Sequence, residues 1–409
     1  MVTSNKPDKS VLVLDNFAQT LAVVRSLGSA GYNVILGRGI HKPIEAYSRF
    51  CNEQWIHSDL YEALDNPKTF LSELTNLLDK HPDIGWIFPV TEISAKVILR
   101  LDGDIPPHIQ IATVPQTPFL ICLDKQRANE NCGLAYPQSR VVRNVAELSQ
   151  AAGNIGFPLI IKSVDTNRRV FDRKAYVVNS LSTFTSVFHR WPAEHEKLLV
   201  QKFIAGSLEQ SDFVAKKGEL IAYSEGVSLR TDMLDGTGFG VEFMTTAPSK
   251  AVFFATQTFI KAINYSGPGL IQFIREEKTG TIHFLENNPR LSAGVAESMA
   301  SGQNMPLLVL QALDNNSTHN LKPFTKDSGQ HQPDFYTHWL SRDIEGYLTQ
   351  RTSLTKAQRR EWLLNMLRSF RRAEAHIMWQ WRDPLPGVYV YLKLCVRIIK
   401  QIFSRQRSI

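Results

Sequence analysis

The chain has 409 residues, 43% of them apolar, with 46 Lys and Arg against 39 Asp and Glu. That length fits two or three domains, and the composition excludes a disordered or fibrous chain. Cys51, Cys122, Cys132 and Cys395 show no CxxC or Cys/His spacing, which argues against a disulfide framework or structural zinc site and favours a reducing cytoplasm.

The N-terminal MVTSNKPDKS lacks a signal-peptide pattern, and no uncharged apolar run reaches the roughly 18 residues of a spanning helix. The net charge of +7 is uneven: Arg351 to Ile409 holds 13 basic residues against 3 acidic ones, and the remainder 33 against 36. The basic character therefore belongs to the C-terminal part.

In chain order, the pattern predicts a buried strand at Ser10–Asp15, a helix from Asn16 to Gly31 and a strand at Val34–Gly37. An amphipathic helix at Leu60–Lys80 and strands at Gly85–Val90 and His108–Thr113 follow. Strands alternating with helices imply an open parallel sheet over residues 1–118. Asp15-Asn16 and Thr91-Glu92 fall at strand ends, where such sheets bind ligands and where helices are also capped.

From Asp124 the pattern becomes α+β. Helices are expected at Lys125–Gly133 and Asn144–Gly153, and a strand at Phe157–Lys162. Further strands are expected at Ala175–Val178, Leu198–Phe203, Asp212–Ala215, Leu220–Glu225, Leu270–Ile274 and Ile282–Leu285. This domain is set at 119–325, with a small lobe over about 124–198 and a large lobe over about 199–325. Residues 326–409 read as a basic helical extension, with helices at Thr355–Ala375 and Val388–Phe403 around a break at Asp383–Gly387.

The strongest chemical signal is Leu270-Ile-Gln-Phe-Ile274, a Lys278-Thr-Gly280 turn, and Ile282-His-Phe-Leu-Glu-Asn-Asn-Pro-Arg290. Two strands joined by a short glycine-containing loop make a hairpin. Its period of two puts Glu286 and Asn288 on one face, with Gln272 within reach on the other strand. One carboxylate and two amide oxygens suit Mg²⁺ (or Mn²⁺) bridging nucleotide phosphates. Arg290 adds a cation that can fork onto phosphate. A strand ending in a turn with a surface ion pair is the plainer alternative.

This segment resembles the ATP-grasp superfamily, especially the synthetase halves of carbamoyl-phosphate synthetase, and the resemblance runs in order over about residues 8–315. It implies a pre-ATP-grasp α/β domain followed by an ATP-grasp fold. It also implies that Gln272, Glu286 and Asn288 hold metal, and that Lys125, Lys162 and Arg290 contact phosphate. Adenine is expected on the backbone of Gln201, Lys202, Phe203 and Ile204, ribose on Glu209, and a substrate carboxylate on Arg230. Ser292 and Gly294, opening the next helix, are further anion candidates.

One departure is the segment Ser163–Lys174. It contains no glycine where the family has a glycine-rich phosphate loop, and its Arg168, Arg169 and Arg173 are candidate replacements.

The expected activity is ATP- and Mg-dependent carboxylate–amine ligation through an acyl-phosphate, forming a C–N bond with release of ADP and phosphate. Carboxylase or carbamoyl-phosphate-type chemistry and a non-catalytic nucleotide-binding scaffold are the alternatives. The basic arginines point to small anionic substrates, and no nucleic-acid motif is present. Family members are often dimers, so a homodimer is considered. In Val388–Phe403, Lys393, Arg397 and Lys400 form a basic stripe. It fits peripheral contact of 388–409 with an anionic membrane, such as the inner membrane surface, against packing on the protein or on a second copy.

Overall fold

The structure is a computed structural model that describes residues 9–165, 168–171, 173–315, 321–326, 328 and 332–406, with side chains described as far as residue 400. The N-terminal part forms a five-stranded parallel sheet from β1 (Ser10–Leu14), β2 (Asn33–Arg38), β3 (Glu53–Ile56), β4 (Ile84–Pro89) and β5 (Gln110–Ile111), in the order β3-β2-β1-β4-β5. Helices cover both faces, so β1 and β4 are apolar along their whole length and fully buried, as a doubly covered parallel strand requires. The chain winds outward from β1 to β3 and then restarts at β4. The carboxyl ends of β1 and β4 therefore flank a topological switch point.

Two expectations need correction here. The Leu60–Lys80 helix is two helices, Leu60–Asp65 and Lys68–Lys80. They part at Asn66-Pro67, because a residue before proline is pushed out of the helical region. The edge strand β3 was not anticipated, since Glu53-Gln54-Trp55-Ile56 is short and only half buried.

The small lobe is an antiparallel sheet of β6 (Ser139–Val142), β7 (Leu159–Ser163), β8 (Ala175–Val178) and β9 (Leu198–Lys202), ordered β6-β9-β7-β8. The large lobe is a seven-stranded sheet of β10 (Gly206–Lys216), β11 (Glu219–Thr231), β12 (Gly240–Thr246), β13 (Gly267–Glu276), β14 (Ile282–Asn288), β15 (Tyr336–His338) and β16 (Ala375–His376), ordered β14-β13-β10-β11-β12-β15-β16. β10 and β11 are joined by Lys217-Gly218, both at positive φ (51° and 77°), the backbone twist of a tight hairpin turn. A core of Phe213, Tyr223, Phe259, Tyr265, Phe273 and Phe284 fills one face of this sheet.

The stretch after residue 325 is not solely helical, because β15 and β16 extend the large-lobe sheet. Its last helix, Leu385–Gln406, starts earlier than expected. Pro386 and Gly387 lie in its first turn, where a missing N–H costs nothing. A buried ion pair ties this region to the N-terminal sheet. Arg25 donates through Nε to Asp383 Oδ2 at 2.8 Å and through Nη2 to the Asp383 carbonyl at 2.8 Å. The carboxylate of Asp383 also accepts from Ser48 Oγ and the Arg49 N–H.

Removing one partner of such a pair strands a buried charge. Asp383→Ala is therefore expected to lower unfolding free energy by about 3 kcal/mol or more in urea titration. A change within about 0.5 kcal/mol would show that the tether carries no stability.

Candidate active site

The hairpin of β13 and β14 sets Gln272 directly opposite Glu286 and Leu270 opposite Asn288. Gln272, Glu286 and Asn288 thus meet as their spacing suggested. Asn288 donates through Nδ2 to Glu286 Oε1 at 3.3 Å. Three lysines surround this carboxylate. Lys125, at the start of the helix Lys125–Asn131, is buried; its Nζ donates to the Ser163 carbonyl at 3.3 Å and stands 3.8 Å from Glu286 Oε2. Asp124 caps that helix and fixes its start, accepting from the Gln126 and Arg127 N–H groups.

Lys162 lies near the end of β7, and Lys174 immediately precedes β8. The Lys174 ammonium sits 3.6 Å from the centroid of the Phe239 ring, a cation–π contact.

The electrostatics follow from this crowding. Burial pushes the Glu286 carboxyl up, but Lys125, Lys162 and Lys174 outweigh it and hold the pKa down at about 2. Lys162 is lowered to about 8, by burial first and then by repulsion from Lys125, against the attraction of Glu286. Lys174 keeps exposed surface, yet its pKa also falls to about 8. Crowding by protein atoms is the main cause, and Arg290 and Arg169 act in the same sense, against the pull of Glu286 and Asp232. The site is a patch of excess cationic charge around one fixed anion, as a polyphosphate with a divalent ion requires.

Arg290 reaches the switch-point crevice of the N-terminal sheet. Its Nε donates to Glu92 Oε1 at 2.9 Å and its Nη1 to the Leu291 carbonyl at 3.0 Å. Glu92 opens the helix Glu92–Arg100, which Thr91 caps, and the Thr91 hydroxyl donates to the Asp15 carboxylate. Of the two readings of Thr91-Glu92, capping holds for Thr91, and Glu92 accepts from Arg290.

At the hinge, Gln201 is buried and its Nε2 lacks a hydrogen-bond partner. The Lys202 and Phe203 N–H groups donate to the Gln138 and Pro158 carbonyls, while the Lys202 side chain is exposed and Ile204 half-buried. Glu209 is held by Arg275 in a two-pronged pair of 2.5 and 2.7 Å.

Two candidate positions are engaged by the protein itself. Arg230 donates through Nε to Glu242 at 3.0 Å and through Nη2 to Asp343 at 2.5 Å and Ser369 at 3.0 Å. Asp343 also binds His338 and the Trp362 indole. The guanidinium is thus satisfied inside a network that ties the large lobe to the C-terminal part, and is not presented to a substrate carboxylate. The helix after Arg290, Val295–Ala300, has six residues and Ser292 is buried, so the anion site expected at Ser292 and Gly294 lacks an exposed helix end.

In the glycine-free segment, residues 166, 167 and 172 lie outside the described residues. Arg168 donates to the Glu194 carbonyl and Arg173 pairs with Asp235 at 3.2 Å.

Sequence reading missed three groups. Lys174 ends the glycine-free segment, and its place just before a strand was the available signal. Asp212 and Glu297 are buried carboxyls near one another. Burial pushes Asp212 up to about 6, against Ser292, Ser298 and Arg290, and pushes Glu297 well above the usual range, with Asp212 adding to it. Neither lies in a motif that spacing would flag.

Residues 194–332 match the family model of the ATP-grasp in the biosynthetic pathway with Ter operon. The N-terminal section of the carbamoyl phosphate synthase large chain from Aquifex aeolicus is 28% identical over 183 residues, which is 42% of this chain and 32% of that relative. The match thus spans about a third of the curated relative's length.

Among solved structures, purK (N5-carboxyaminoimidazole ribonucleotide synthetase, as an ADP complex) is similar with a TM-score of 0.62, 13% identity and coverage of 86% of this chain and 87% of that one. L-amino acid ligase from Bacillus licheniformis gives 0.59, 15%, 81% and 79%. The chain has the ATP-grasp fold, and residues 194–332 are similar to the ATP-grasp family model.

Glu286 holds Lys162 protonated against burial. In Glu286→Gln, the Lys162 amine is expected to titrate at lower pH than in the wild-type protein, read by NMR titration of reductively methylated lysines. An unchanged titration would show that the two charges do not interact.

Proposed function

We propose that the protein is an ATP- and Mg-dependent carboxylate–amine ligase. The observation that carries this reading is the Glu286 carboxylate, set beside Gln272 and Asn288, 3.8 Å from Lys125 and held ionised by Lys125, Lys162 and Lys174. The donor set fits Mg²⁺, which binds one or two carboxylates and completes its shell with substrate phosphates and water. Glu286, Asn288 and Gln272 would hold the ion, and its chemistry when bound is to neutralise charge on phosphate oxygens.

The chain's own residues do the rest. Lys125, Lys162 and Lys174 bind the polyphosphate as point cations. Arg290, kept in place by Glu92, is set to stabilise charge on the transferring phosphoryl group. Gln201 and the backbone of the hinge through Ile204 would face the base; the orphaned Gln201 Nε2 supports a polar ligand there.

In the reaction, a carboxylate oxygen of one substrate attacks the γ-phosphorus, the β,γ-bridging P–O bond breaks and ADP leaves. The amine nitrogen of the second substrate then attacks the acyl carbon, loses a proton and expels phosphate. Positioning supplies much of the rate. The glycine-free segment would approach phosphate through its cationic end at Lys174 in place of backbone amides.

The test is ADP and phosphate release from Mg-ATP across pooled amino acids and small carboxylic acids, with a separate bicarbonate arm. Release that needs one acid and one amine together, and that falls at least about a hundredfold in Glu286→Gln, is the expected result. Release with bicarbonate alone would make the protein a carboxyphosphate enzyme. Nucleotide binding with no release in any pool would make it a scaffold. Lys162 is protonated below its lowered pKa of about 8. In the free enzyme, kcat/KM for Mg-ATP is therefore expected to fall as pH rises through that value. A flat profile from neutrality to well above it would remove Lys162 from phosphate binding.

A further inference from the structure

The helix Leu385–Gln406 is docked on the protein along part of its circumference. Leu394 is buried with Val390 and Ile398 half-buried on the same face, and on the flank Tyr389 packs against Tyr47 with ring centroids 4.4 Å apart. A surface helix held in this way turns polar residues to water on its opposite side. Here the opposite side is apolar. Leu385, Val388, Leu392, Val396 and Ile399 recur at intervals of three and four and are all exposed, Leu385 and Leu392 at 59%. Trp381, just before the helix, is 84% exposed.

Beside this stripe, Lys393, Arg397 and Lys400 fall along one flank, and the helix contains no acidic residue. Lys393 stands over the Tyr389 ring, and Arg397 meets Glu345 across the surface, at 3.8 Å. Among the described residues no helix is long and apolar enough to cross a membrane.

We propose that this face seats the protein on an anionic lipid surface, with the helix lying in the plane of the headgroups. The charge pattern selects this occupant over a second copy. Pairing two such stripes would bring Lys393, Arg397 and Lys400 near the same residues of the partner helix, with no carboxylate from either helix to answer them. Anionic headgroups answer all three, and the apolar stripe gains by leaving water. The exposed Trp381 suits the interface between headgroup and acyl chain. This inference stands apart from the ligase reading.

The test is flotation of the full chain with vesicles of neutral phosphatidylcholine, alone or mixed with anionic phosphatidylglycerol. Two variants accompany it: Leu392→Asp with Val396→Asp, and Lys393→Gln with Arg397→Gln and Lys400→Gln. The altered side chains point outward, so circular dichroism and melting temperature should stay at wild-type values. The expected result is binding to the anionic vesicles only, weakened about a hundredfold by the charge variant and lost in the apolar variant. Equal recovery with neutral and anionic vesicles would overturn the proposal, as would wild-type binding by both variants. A wild-type protein that ignores vesicles but forms a dimer broken by Leu392→Asp with Val396→Asp would also overturn it, and would assign the stripe to a second copy. Retention on nucleic acid in place of vesicles would overturn it as well.

Discussion

Everything in the site depends on holding Glu286 charged. Its partial burial favours the protonated form, and the cations around it stand against that. Here the cations come from three separate places: Lys125 from a helix start, Lys162 from β7 and Lys174 from just before β8. Burial disfavours the charged forms of Lys162 and Lys174, and Lys125 repels Lys162. Glu286 makes their approach tolerable, and they in turn keep it ionised. The residual positive charge is what a bound polyphosphate would neutralise. The same constraint explains why the small lobe and the β13–β14 hairpin must meet: neither sheet alone carries a balanced set of charges.

The fold supplies the remaining alignment. The switch point of the parallel sheet puts Glu92 where it can grip Arg290, so the N-terminal sheet orients the arginine that ends the Glu-x-Asn-Pro-Arg run. The C-terminal part is equally integrated. Asp383 closes onto Arg25, Asp343 onto Arg230, and β15 and β16 lengthen the large-lobe sheet. Phe239, from the large lobe, has Lys174 on its ring and Arg342 of the C-terminal part at 4.6 Å. The small lobe and the C-terminal region therefore share a contact next to the site.

Much of this was legible in the sequence, for identifiable reasons. The alternation of apolar runs and helices announces the parallel sheet. The period of two along β14 places Glu286 and Asn288 together whatever the tertiary structure. The strand ending at Lys162 was visible because an apolar Pro-Leu-Ile-Ile run stops in a charge. What was not legible depended on partners distant in sequence. Arg230 looks like a free cation on a glycine-rich loop, and only the fold brings Glu242, Asp343 and Ser369 to it. Lys174 lies twelve residues beyond Lys162, on the far side of a segment with no periodicity. The outward apolar stripe of the last helix has the same periodicity as a buried one, so spacing alone could not say which face met water.

The central claim is that Glu286 and its lysines form one site for a metal–nucleotide complex. Its most direct test is electron paramagnetic resonance of Mn²⁺ titrated into the protein with and without ADP, for the wild type and for Glu286→Gln. Bound Mn²⁺ is expected in the wild type only when ADP is present, and is lost in the variant while the fold is retained. Equal Mn²⁺ binding by the two proteins, or binding indifferent to nucleotide, would contradict it.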